Sequence, residues 1–530
     1  MRFVAVLLGA VVLASSAQAQ PAGVDAVFAD FQPTTPGCAL GVKSKDQAPV
    51  VRAYGSADLE HAVPIAPDTI FEAGSVSKQF TAAAILLLVE DGRIAPTDDI
   101  RKYLPEMPDY GRPITVDMLL SHTSGLRDWG SVMDIAGWPR TSRIYTPVEV
   151  LQIASRQKAL NYTPGEAYSY TNTGYNLAAW IVLRVSGQTL ADFTKARIFE
   201  PLGMTRTSWR DNFRRVVPGR AIAYGPGPGG LGQDMPFENT YGHGGLLTTV
   251  GDLLTWNEAL TQGRLGKSVS ARLQEQAVLT GGRKIAYGRG LVSQTWKGHA
   301  EVAHSGATAG YRAWLARFPA QGLSVAVLCN TAGANAVRLG HRVADLYLPP
   351  GPAAPASVAQ PADELERLPG VYVDERAGSV LRVVAENGGL VVRGAGPFAP
   401  SGKGRYRAGD MDWAFGPDGV VRRAADGETV SYRRVAPVTP TAAELGELAG
   451  AYSSLEANGV LLATIRGGAL VLAPADRPSA PVVARPLYKD AFQTDDGLVR
   501  VVRSPDGEVT GLKFTGARVY SLEFRRIEAS

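Results

Sequence analysis

A Pro/Ala-rich segment at residues 350–362 divides this 530-residue chain into two parts with different sequence patterns. From residue 20 to 349, strand-like and helix-like patterns alternate, which is typical of a mixed α/β domain. From residue 363 onward, short alternating runs with frequent Gly predict antiparallel β-structure. Because few contacts normally cross such a linker, we expect the first part to fold on its own.

The second part contains the same unit twice. The pattern Glu-Leu-x-x-Leu-x-Gly-x-Tyr that ends at Tyr372 recurs 80 residues later and ends at Tyr452. The two copies, at residues 363–437 and 441–530, predict two small antiparallel, lipocalin-like β-barrels, because closure removes the exposed edges of a sheet. One large sandwich is the alternative, and the ordered repetition of the whole unit argues against it.

Charge excludes one class of partner. The chain has 54 basic and 50 acidic residues, a formal net charge of +4 and no basic run with interleaved aromatic residues. Nothing in this pattern favours nucleic-acid binding.

The N-terminus predicts export. Arg2 precedes an apolar run from residue 3 to 13, and Ala17-Gln-Ala19 fits a signal-peptidase site. We therefore expect a cleaved signal peptide at residues 1–19 and a periplasmic or secreted protein without stable membrane insertion, since the run is too short to span a bilayer. A buried first helix is the alternative interpretation.

Two cysteines remain in the mature chain, and each lies in an apolar run that predicts a strand. Cys38 begins the run 38–43 and Cys329 ends the run 323–329. Further strands are predicted at 50–54 and 311–318, so that the start and end of the first part share one sheet. The two thiols are either separate and buried or joined as a disulfide, and both alternatives stay open.

A candidate nucleophile precedes the most apolar helix. Residues 79–89 carry no charge and predict a helix buried on nearly all sides, with Ser75 at its N-terminus and Lys78 one turn later. A serine hydroxyl needs a base, and a desolvated lysine can serve. Alone this pattern is weak, because Ser155 and Lys158 repeat it and Ser75 is also suited to an N-cap.

Two further motifs follow in order. Tyr170-Thr-Asn172 lies in a Pro/Gly-rich loop, and His304-Ser-Gly306 precedes the strand at 311–318. With Ser75-x-x-Lys78, these motifs resemble the penicillin-recognising serine hydrolases, which include class C β-lactamases, D,D-carboxypeptidases, esterases and D-aminopeptidases. Residues 119–126 and 244–253 also match the family. The layout of domains most resembles the three-domain D-aminopeptidases, and this resemblance implies that the barrels cap or narrow the cleft.

The resemblance implies a role for each motif. Ser75 would attack the substrate carbonyl, while Lys78 and Tyr170 would share its proton, in an order that stays open. Asn172 would bind the substrate amide. The backbone N–H groups of Ser75 and Ala307 would form the oxyanion hole.

The third motif departs from the β-lactamases. His304 stands where they usually carry Lys, and a largely neutral imidazole is less suited to a substrate carboxylate. It would either orient neighbouring groups or contact the substrate. Gly306 would keep its strand free of Cβ atoms beside the substrate.

The implied fold is a β-lactamase/D,D-peptidase-like catalytic domain, in which an antiparallel sheet has helices on both faces and a helical region beside it, followed by two barrels. The implied function is an exported serine hydrolase that acts through an acyl-enzyme on small amides, peptides or esters, most of all as a D-amino-acid peptidase or amidase. Alternatives are a carboxylesterase, a D,D-carboxypeptidase or weak β-lactamase, and a cell-wall-fragment sensor without turnover.

No cofactor or metal is expected, because the other histidines do not pair at ligand spacing. The expected partner is a small-molecule or peptide substrate. The sequence leaves the oligomeric state undetermined.

Overall fold

The computed structural model describes residues 23–527 except 46, 352–357, 360, 394–395, 409–410, 425–427, 478–480 and 496. The predicted signal peptide and much of the linker therefore lie outside the described residues. Within these ranges, no helix has both the length and the apolar character needed to cross a bilayer.

The first part consists of a sheet, helices on its two faces and a helical region. Its strands are β1 (Cys38–Ser44), β2 (Val50–Tyr54), β3 (Ser56–Asp58), β4 (Val63–Pro64), β5 (Phe71–Glu72), β6 (Ser208–Trp209), β7 (Tyr224–Gly227), β8 (Gly230–Gln233), β9 (Leu246–Thr248), β10 (Val292–Trp296), β11 (His299–Thr308), β12 (Tyr311–Phe318) and β13 (Leu323–Cys329). Its helices are α1 (Val24–Val27), α2 (Lys78–Glu90), α3 (Val116–Leu120), α4 (Trp129–Ile135), α5 (Pro147–Ser155), α6 (Asn172–Ser186), α7 (Leu190–Thr194), α8 (Glu200–Leu202), α9 (Val250–Gln262), α10 (Lys267–Gln274) and α11 (Ala336–Ala344). Single helical turns occur at Gly74–Ser77, Ile100–Lys102, Lys195–Phe199 and Pro319–Gln321.

The central sheet has six antiparallel strands in the order β10-β11-β12-β13-β1-β2, so chain start and chain end meet in it as predicted. Side chains along a strand point alternately to its two faces. Ala39 and Leu328 accordingly join the core cluster shared with α2 and α9, whereas Leu40 and Val327 join the cluster shared with α1 and α11. This period-2 burial explains why helices cover both faces.

A disulfide joins the two cysteines. Cys38 in β1 lies directly opposite Cys329 in β13, with the two Cα atoms 4.0 Å apart. The structure therefore selects the disulfide over two free thiols. The bond links the first and last strands of the catalytic region across 291 positions of sequence.

The second part forms two antiparallel barrels, as predicted. In the first, α12 (Ala362–Arg367) precedes β14 (Gly370–Asp374), β15 (Ser379–Glu386), β16 (Gly389–Val392), β17 (Gly396–Pro397), β18 (Ala399–Gly402), β19 (Arg405–Ala408), β20 (Met411–Phe415), β21 (Gly419–Arg423) and β22 (Thr429–Val435). In the second, α13 (Ala442–Gly446) precedes β23 (Gly450–Ser454), β24 (Gly459–Arg466), β25 (Ala469–Pro474), β26 (Val482–Tyr488), β27 (Ala491–Gln493), β28 (Gly497–Arg503), β29 (Val509–Gly516) and β30 (Val519–Ile527). The second barrel is closed, and the nine-stranded first one is nearly closed, ending on the sequence neighbours β17 and β18.

The repeated residues make repeated contacts. The Tyr372 hydroxyl donates to the carbonyl of Leu368, and the Tyr452 hydroxyl donates to that of Leu448, each at 2.8 Å. In both copies the tyrosine strand pairs with the next strand and with the last strand of its barrel. The repeat in the sequence is thus a repeat of the same fold.

The two parts share more contacts than the linker suggested, and independent folding of the first part stays a prediction. The second barrel packs on α4 and α5, and one buried apolar cluster contains residues of both parts. From the catalytic region this cluster takes Trp129, Val132, Met133, Ala136, Tyr145, Val150 and Ile153. A linker separates the parts along the chain, but composition gives no information on how they dock in space.

A buried ion pair fixes this junction. The Arg127 guanidinium lies 2.7 Å from a Glu456 carboxylate oxygen and also donates to the carbonyls of Tyr520 and Ser521. The Arg127 side chain is only 2% exposed. Removing one partner of such a pair leaves the other charge buried without compensation.

We therefore expect Arg127→Ala to lower the free energy of unfolding by about 3–5 kcal/mol. Arg197→Ala is the control, because it breaks an exposed pair with Asp91 and should cost about 1 kcal/mol or less. Denaturant unfolding of both variants measures the difference. Equal, small losses for the two would contradict a fixed docking of the second barrel.

Candidate active site

The backbone around Ser75 is placed by two glycines. Ser75 lies in the turn Gly74–Ser77 that leads into α2, and Gly74 has a φ of +52°. A Cβ on Gly306 would lie 2.0 Å from the carbonyl oxygen of Ala73, and one on Gly74 would lie 2.6 Å from the backbone N of Ala307. Glycine at both positions lets β11 approach this turn. The structure therefore gives a second reason for glycine at position 306. Besides leaving room for substrate, Gly306 lets β11 approach the turn that carries Ser75.

Lys78 is fully buried beside the Ser75 hydroxyl. Its Nζ lies 3.1 Å from Ser75 Oγ, 2.9 Å from Asn172 Oδ1 and 2.6 Å from the carbonyl oxygen of His243. Burial holds the pKa of Lys78 well below its ordinary value, and the positive charge of Arg518 lowers it further. In a neutral amine, two N–H groups satisfy the two acceptors, and the lone pair faces the serine hydroxyl.

The loop 168–172 presents Tyr170 and Asn172 to the same point. Its backbone is fixed by Asp128, whose Oδ2 accepts from the Asn172 N–H at 2.6 Å, and by His122, whose Nδ1 accepts from the Thr171 N–H at 3.2 Å. Burial raises the pKa of the Tyr170 phenol above its ordinary range. Tyr170 is therefore a neutral proton donor at neutral pH.

His122 belongs to the segment 119–126 and packs under this loop. Its ring centroid is 4.2 Å from that of Tyr170, and its φ is +59°. Burial and the nearby Lys78 hold its pKa well below the ordinary value, so the ring is neutral. Its Nε2 has no hydrogen-bond partner among the described residues.

His304 has both ring nitrogens occupied. Nε2 is 2.9 Å from the Tyr287 hydroxyl, and Nδ1 is 2.6 Å from the Ser305 carbonyl oxygen, to which it donates. Burial lowers the pKa of His304 to about 4, so the imidazole is neutral. Of the two interpretations left open above, these contacts favour the orienting hydrogen-bonder.

The resemblance implied that the barrels narrow the cleft, and a hairpin of the second barrel does line the cavity, although no residue of it was predicted. The connection between β29 and β30 carries Arg518, and its guanidinium carbon lies 5.0 Å from the centroid of the Tyr170 ring. The carbonyl of Arg518 accepts from the Asp128 N–H at 3.1 Å and from the Asn161 side chain at 3.0 Å. One signal was present in the sequence, because each barrel copy has a Pro-Asp-Gly turn before its last two strands. From the Gly of that turn to the end of the last strand, the second copy has 21 residues (507–527) and the first has 17 (419–435).

The cavity beside Ser75 has a volume of about 570 Å³ and brings the predicted residues together. Of the predicted set, it is lined by Ser75, Tyr170, Asn172, His304, Gly306 and Ala307. Lys78 lies beneath it. The sequence analysis missed three cavity-lining arginines, which are Arg140, Arg312 and Arg518.

A buried polar network supports the contact between Lys78 and the His243 carbonyl. The His243 ring lies 2.9 Å from the Asn176 amide through Nδ1 and 3.0 Å from Arg140 through Nε2. Arg140 is in turn paired with Glu238, whose pKa it lowers against the effect of burial. Burial lowers the pKa of His243 to about 4. This network fixes the orientation of the loop that provides an acceptor to Lys78.

The competing motif and the metal prediction have simple outcomes. Ser155 ends α5, is partly exposed, and its hydroxyl donates to the carbonyl of Gln152. Asp58, Glu60 and His61 offer ligand atoms within 4.8 Å of one another, so His61 is an exception to the expectation that the other histidines do not pair at ligand spacing. Nothing else at these residues points to an ion, and the expectation of no metal stays a prediction.

Comparison with known proteins places the chain in a family. The model of the Beta-lactamase family matches residues 24–348. The chain belongs to the Beta-lactamase family. This match confirms the resemblance to penicillin-recognising serine hydrolases, and the protein is a serine hydrolase with a β-lactamase/penicillin-binding-protein-like catalytic domain.

One relative covers the barrels as well. The chain is 29% identical over 520 residues to a D-aminopeptidase of Cereibacter sphaeroides, covering 93% of this chain and 96% of that protein.

Two solved structures share the fold. The octameric penicillin-binding protein homologue of Pyrococcus abyssi has a TM-score of 0.54 at 22% identity, over 85% of this chain and 96% of its own. The D-amino acid amidase of Ochrobactrum anthropi SV3 has a TM-score of 0.53 at 23% identity, over 61% and 97%.

The charge of Arg518 should affect the pH dependence of activity. A cation beside Lys78 disfavours its protonated form, so Arg518→Gln should raise the pKa of Lys78 and shift the acid limb of kcat/KM to higher pH. The measurement is a pH profile with p-nitrophenyl acetate.

Lys513→Gln is the matched control, because Lys513 lies in the same hairpin and does not line the cavity. Its acid limb should stay where the wild type has it. An unmoved limb in Arg518→Gln would mean that Lys78 does not control this limb, or that Arg518 does not act on it.

Proposed function

We propose that the protein hydrolyses amide bonds of small D-amino-acid amides and peptides through an acyl-enzyme on Ser75. The observation that carries the mechanism is the contact of buried Lys78 Nζ with Ser75 Oγ, while two fixed acceptors hold its N–H groups. The similarity to D-aminopeptidase and D-amino acid amidase supports the substrate class.

Lys78 is the first base in this proposal. Its lowered pKa makes the neutral amine available, whereas the raised pKa of Tyr170 keeps the phenol protonated. As Ser75 Oγ bonds to the substrate carbonyl carbon, its proton passes to Lys78. The two opposite pKa shifts support Lys78 rather than Tyr170 as the first base.

Tyr170 is the acid for the leaving group. Its phenolic proton goes to the departing nitrogen as the C–N bond breaks, and Lys78, whose Nζ is 4.8 Å from the Tyr170 ring centroid, restores that proton. Water then attacks the ester with the same groups acting in reverse, which releases the acid and regenerates Ser75.

Backbone donors stabilise the tetrahedral intermediate. The N–H groups of Ser75 and Ala307 lie on the two segments that Gly74 and Gly306 allow to approach. We propose that both donate to the developing oxyanion. Asn172, which already binds Lys78, accepts or donates at the substrate amide through its remaining hydrogen-bonding capacity.

Two alternatives are weighed by particular observations. A sensor without turnover has no need of a base for deacylation, yet Lys78 and Tyr170 are both present beside Ser75. A neutral, fully hydrogen-bonded His304 provides no fixed cation of the kind expected for a penicillin carboxylate at this position. Esterase activity is also compatible with the site. Turnover of p-nitrophenyl acetate, D-alanine p-nitroanilide and nitrocefin distinguishes esterase, amidase and β-lactamase activity.

Export is part of the proposal. The charged start, apolar run and cleavage site at residues 1–19 support a signal peptide. The disulfide between Cys38 and Cys329 supports an oxidising compartment such as the periplasm.

We expect Ser75→Ala to abolish both turnover of D-alanine p-nitroanilide and covalent labelling by a fluorophosphonate probe. Ser155→Ala is the matched control, because it removes the serine of the second Ser-x-x-Lys motif and should leave both signals intact. Labelling that persists in Ser75→Ala would refute the assignment of the nucleophile.

Lys78→Ala and Tyr170→Phe should each lower kcat by about 10²–10⁴-fold, since each removes a proton-transfer group. The double variant should be little slower than the slower single one, because both residues serve one transfer chain. Measured kcat values for the three variants test this. Losses that multiply would show that the two residues act independently.

A further inference from the structure

Fixed charge in the cavity is all of one sign. Arg140, Arg312 and Arg518 line it, and no Asp or Glu among the described residues does so. A substrate in this cavity therefore meets several cationic donors and no carboxylate acceptor.

Two of the three arginines already have partners. Arg140 is paired with Glu238, and Arg312 donates to the carbonyls of Ala309 and Tyr311 at 2.7 and 2.8 Å. These contacts leave less of their hydrogen-bonding capacity for a ligand.

Arg518 differs from them. Within the described part of the chain, its guanidinium forms no ion pair with a carboxylate, and it lies over the face of Tyr170. Asp128 is near enough for its pKa to be lowered by Arg518, but its two oxygens accept from the N–H groups of Asn172 and Ser131. Asp128 is buried and does not line the cavity. Arg518 is thus the cation with the most capacity to bind a ligand.

The anchoring of Arg518 defines which part of a substrate it meets. Its carbonyl binds the N–H of Asp128, and the Asp128 carboxylate binds the N–H of Asn172. Arg518 therefore enters the cavity beside Asn172, the residue that contacts the substrate amide in the proposed function.

We propose that the acyl part of the substrate carries a carboxylate that Arg518 binds, and that a free ammonium at this place is disfavoured. This inference rests on the proposed function and narrows its substrate class to D-amino-acid amides that are N-acylated with an acidic group or are themselves acidic. Arginine matches a carboxylate with two parallel N–H donors. An ammonium in the cavity would face three arginines, and no carboxylate among the described residues lines the cavity to pair with it and offset its desolvation.

The proposal also changes the expectation, drawn from His304, that the site is less suited to a substrate carboxylate. A neutral imidazole at that position argued against a carboxylate ligand. The structure supplies a cation from another domain, Arg518, which lines the same cavity beside Tyr170.

The test uses three substrates that share one D-residue and one leaving group. They are D-alanine p-nitroanilide, its N-acetyl derivative and its N-succinyl derivative, which carry a cation, no charge and an anion at the same place. For the wild type, we expect kcat/KM to be highest for the succinyl compound, about tenfold above the acetyl compound, and lowest for the free amine.

Two variants locate the effect. Arg518→Gln should remove most of the preference for succinyl over acetyl, and Arg518→Glu should make the free amine better than the succinyl compound. Lys513→Gln should keep the order of the wild type. A free amine that is the best wild-type substrate, or a preference unchanged in Arg518→Gln, would overturn the proposal.

The outcomes separate this inference from the proposed function. Turnover of all three compounds that depends on Ser75 but shows no order of charge would overturn the inference alone. If none of the three is cleaved, the amidase function fails, and the inference is then decided on esters. The pair is p-nitrophenyl hexanoate and the mono-p-nitrophenyl ester of adipic acid, which have acyl chains of equal length. The adipate should be favoured by the wild type and not by Arg518→Gln, and equal treatment by both would reject the carboxylate site.

Discussion

A lysine amine buried among acceptors is the constraint on which the rest of the site depends. Lys78 gains no solvation from water, so its hydrogen bonds to Asn172 Oδ1 and the His243 carbonyl define where its third position points, and that position is Ser75 Oγ. Both acceptors must therefore be held firmly. Asp128 holds the backbone of Asn172, and the network from Asn176 through Arg140 to Glu238 holds His243. The apolar helix α2, buried over most of its length, keeps water away from the amine.

The second barrel belongs to the active site as well as to the fold. Its apolar core is continuous with α4 and α5, and the Arg127–Glu456 pair fixes the junction. Rigid docking is what allows one hairpin to bring Arg518 beside Tyr170 and Asn172. Arg518 then acts in two ways. It lines the cavity as a hydrogen-bond donor, and it lowers the pKa of Lys78, which lies beneath the cavity. A separate domain thus contributes one of the three arginines of the cavity and adds to the effect of burial on the pKa of Lys78, the proposed base.

The sequence predicted what local patterns encode. The strands Val50–Tyr54, Tyr311–Phe318 and Leu323–Cys329 have the predicted bounds, because buried strands read as short apolar runs between turn residues. The motif residues could be found because their chemistry needs fixed spacing. Arg518 could not be found from the sequence, because the extra length of its hairpin does not indicate what the hairpin contacts, and only tertiary docking brings it beside Tyr170, about 350 residues away in sequence. Arg140 could not be found for the same reason. The need for glycine at position 306 also depends on tertiary structure, because it arises from the nearby backbone carbonyl of Ala73.

The pKa of Lys78 tests the central claim most directly. Carbon-13 labelling of lysine ε-carbons allows each amine to be titrated by NMR, and the signal that is missing in Lys78→Gln identifies Lys78. The account predicts that this signal titrates well below the ordinary lysine value of 10.5, because burial and Arg518 disfavour the charged form. A Lys78 signal that titrates at or above that value would contradict the assignment of a neutral amine as the base for Ser75.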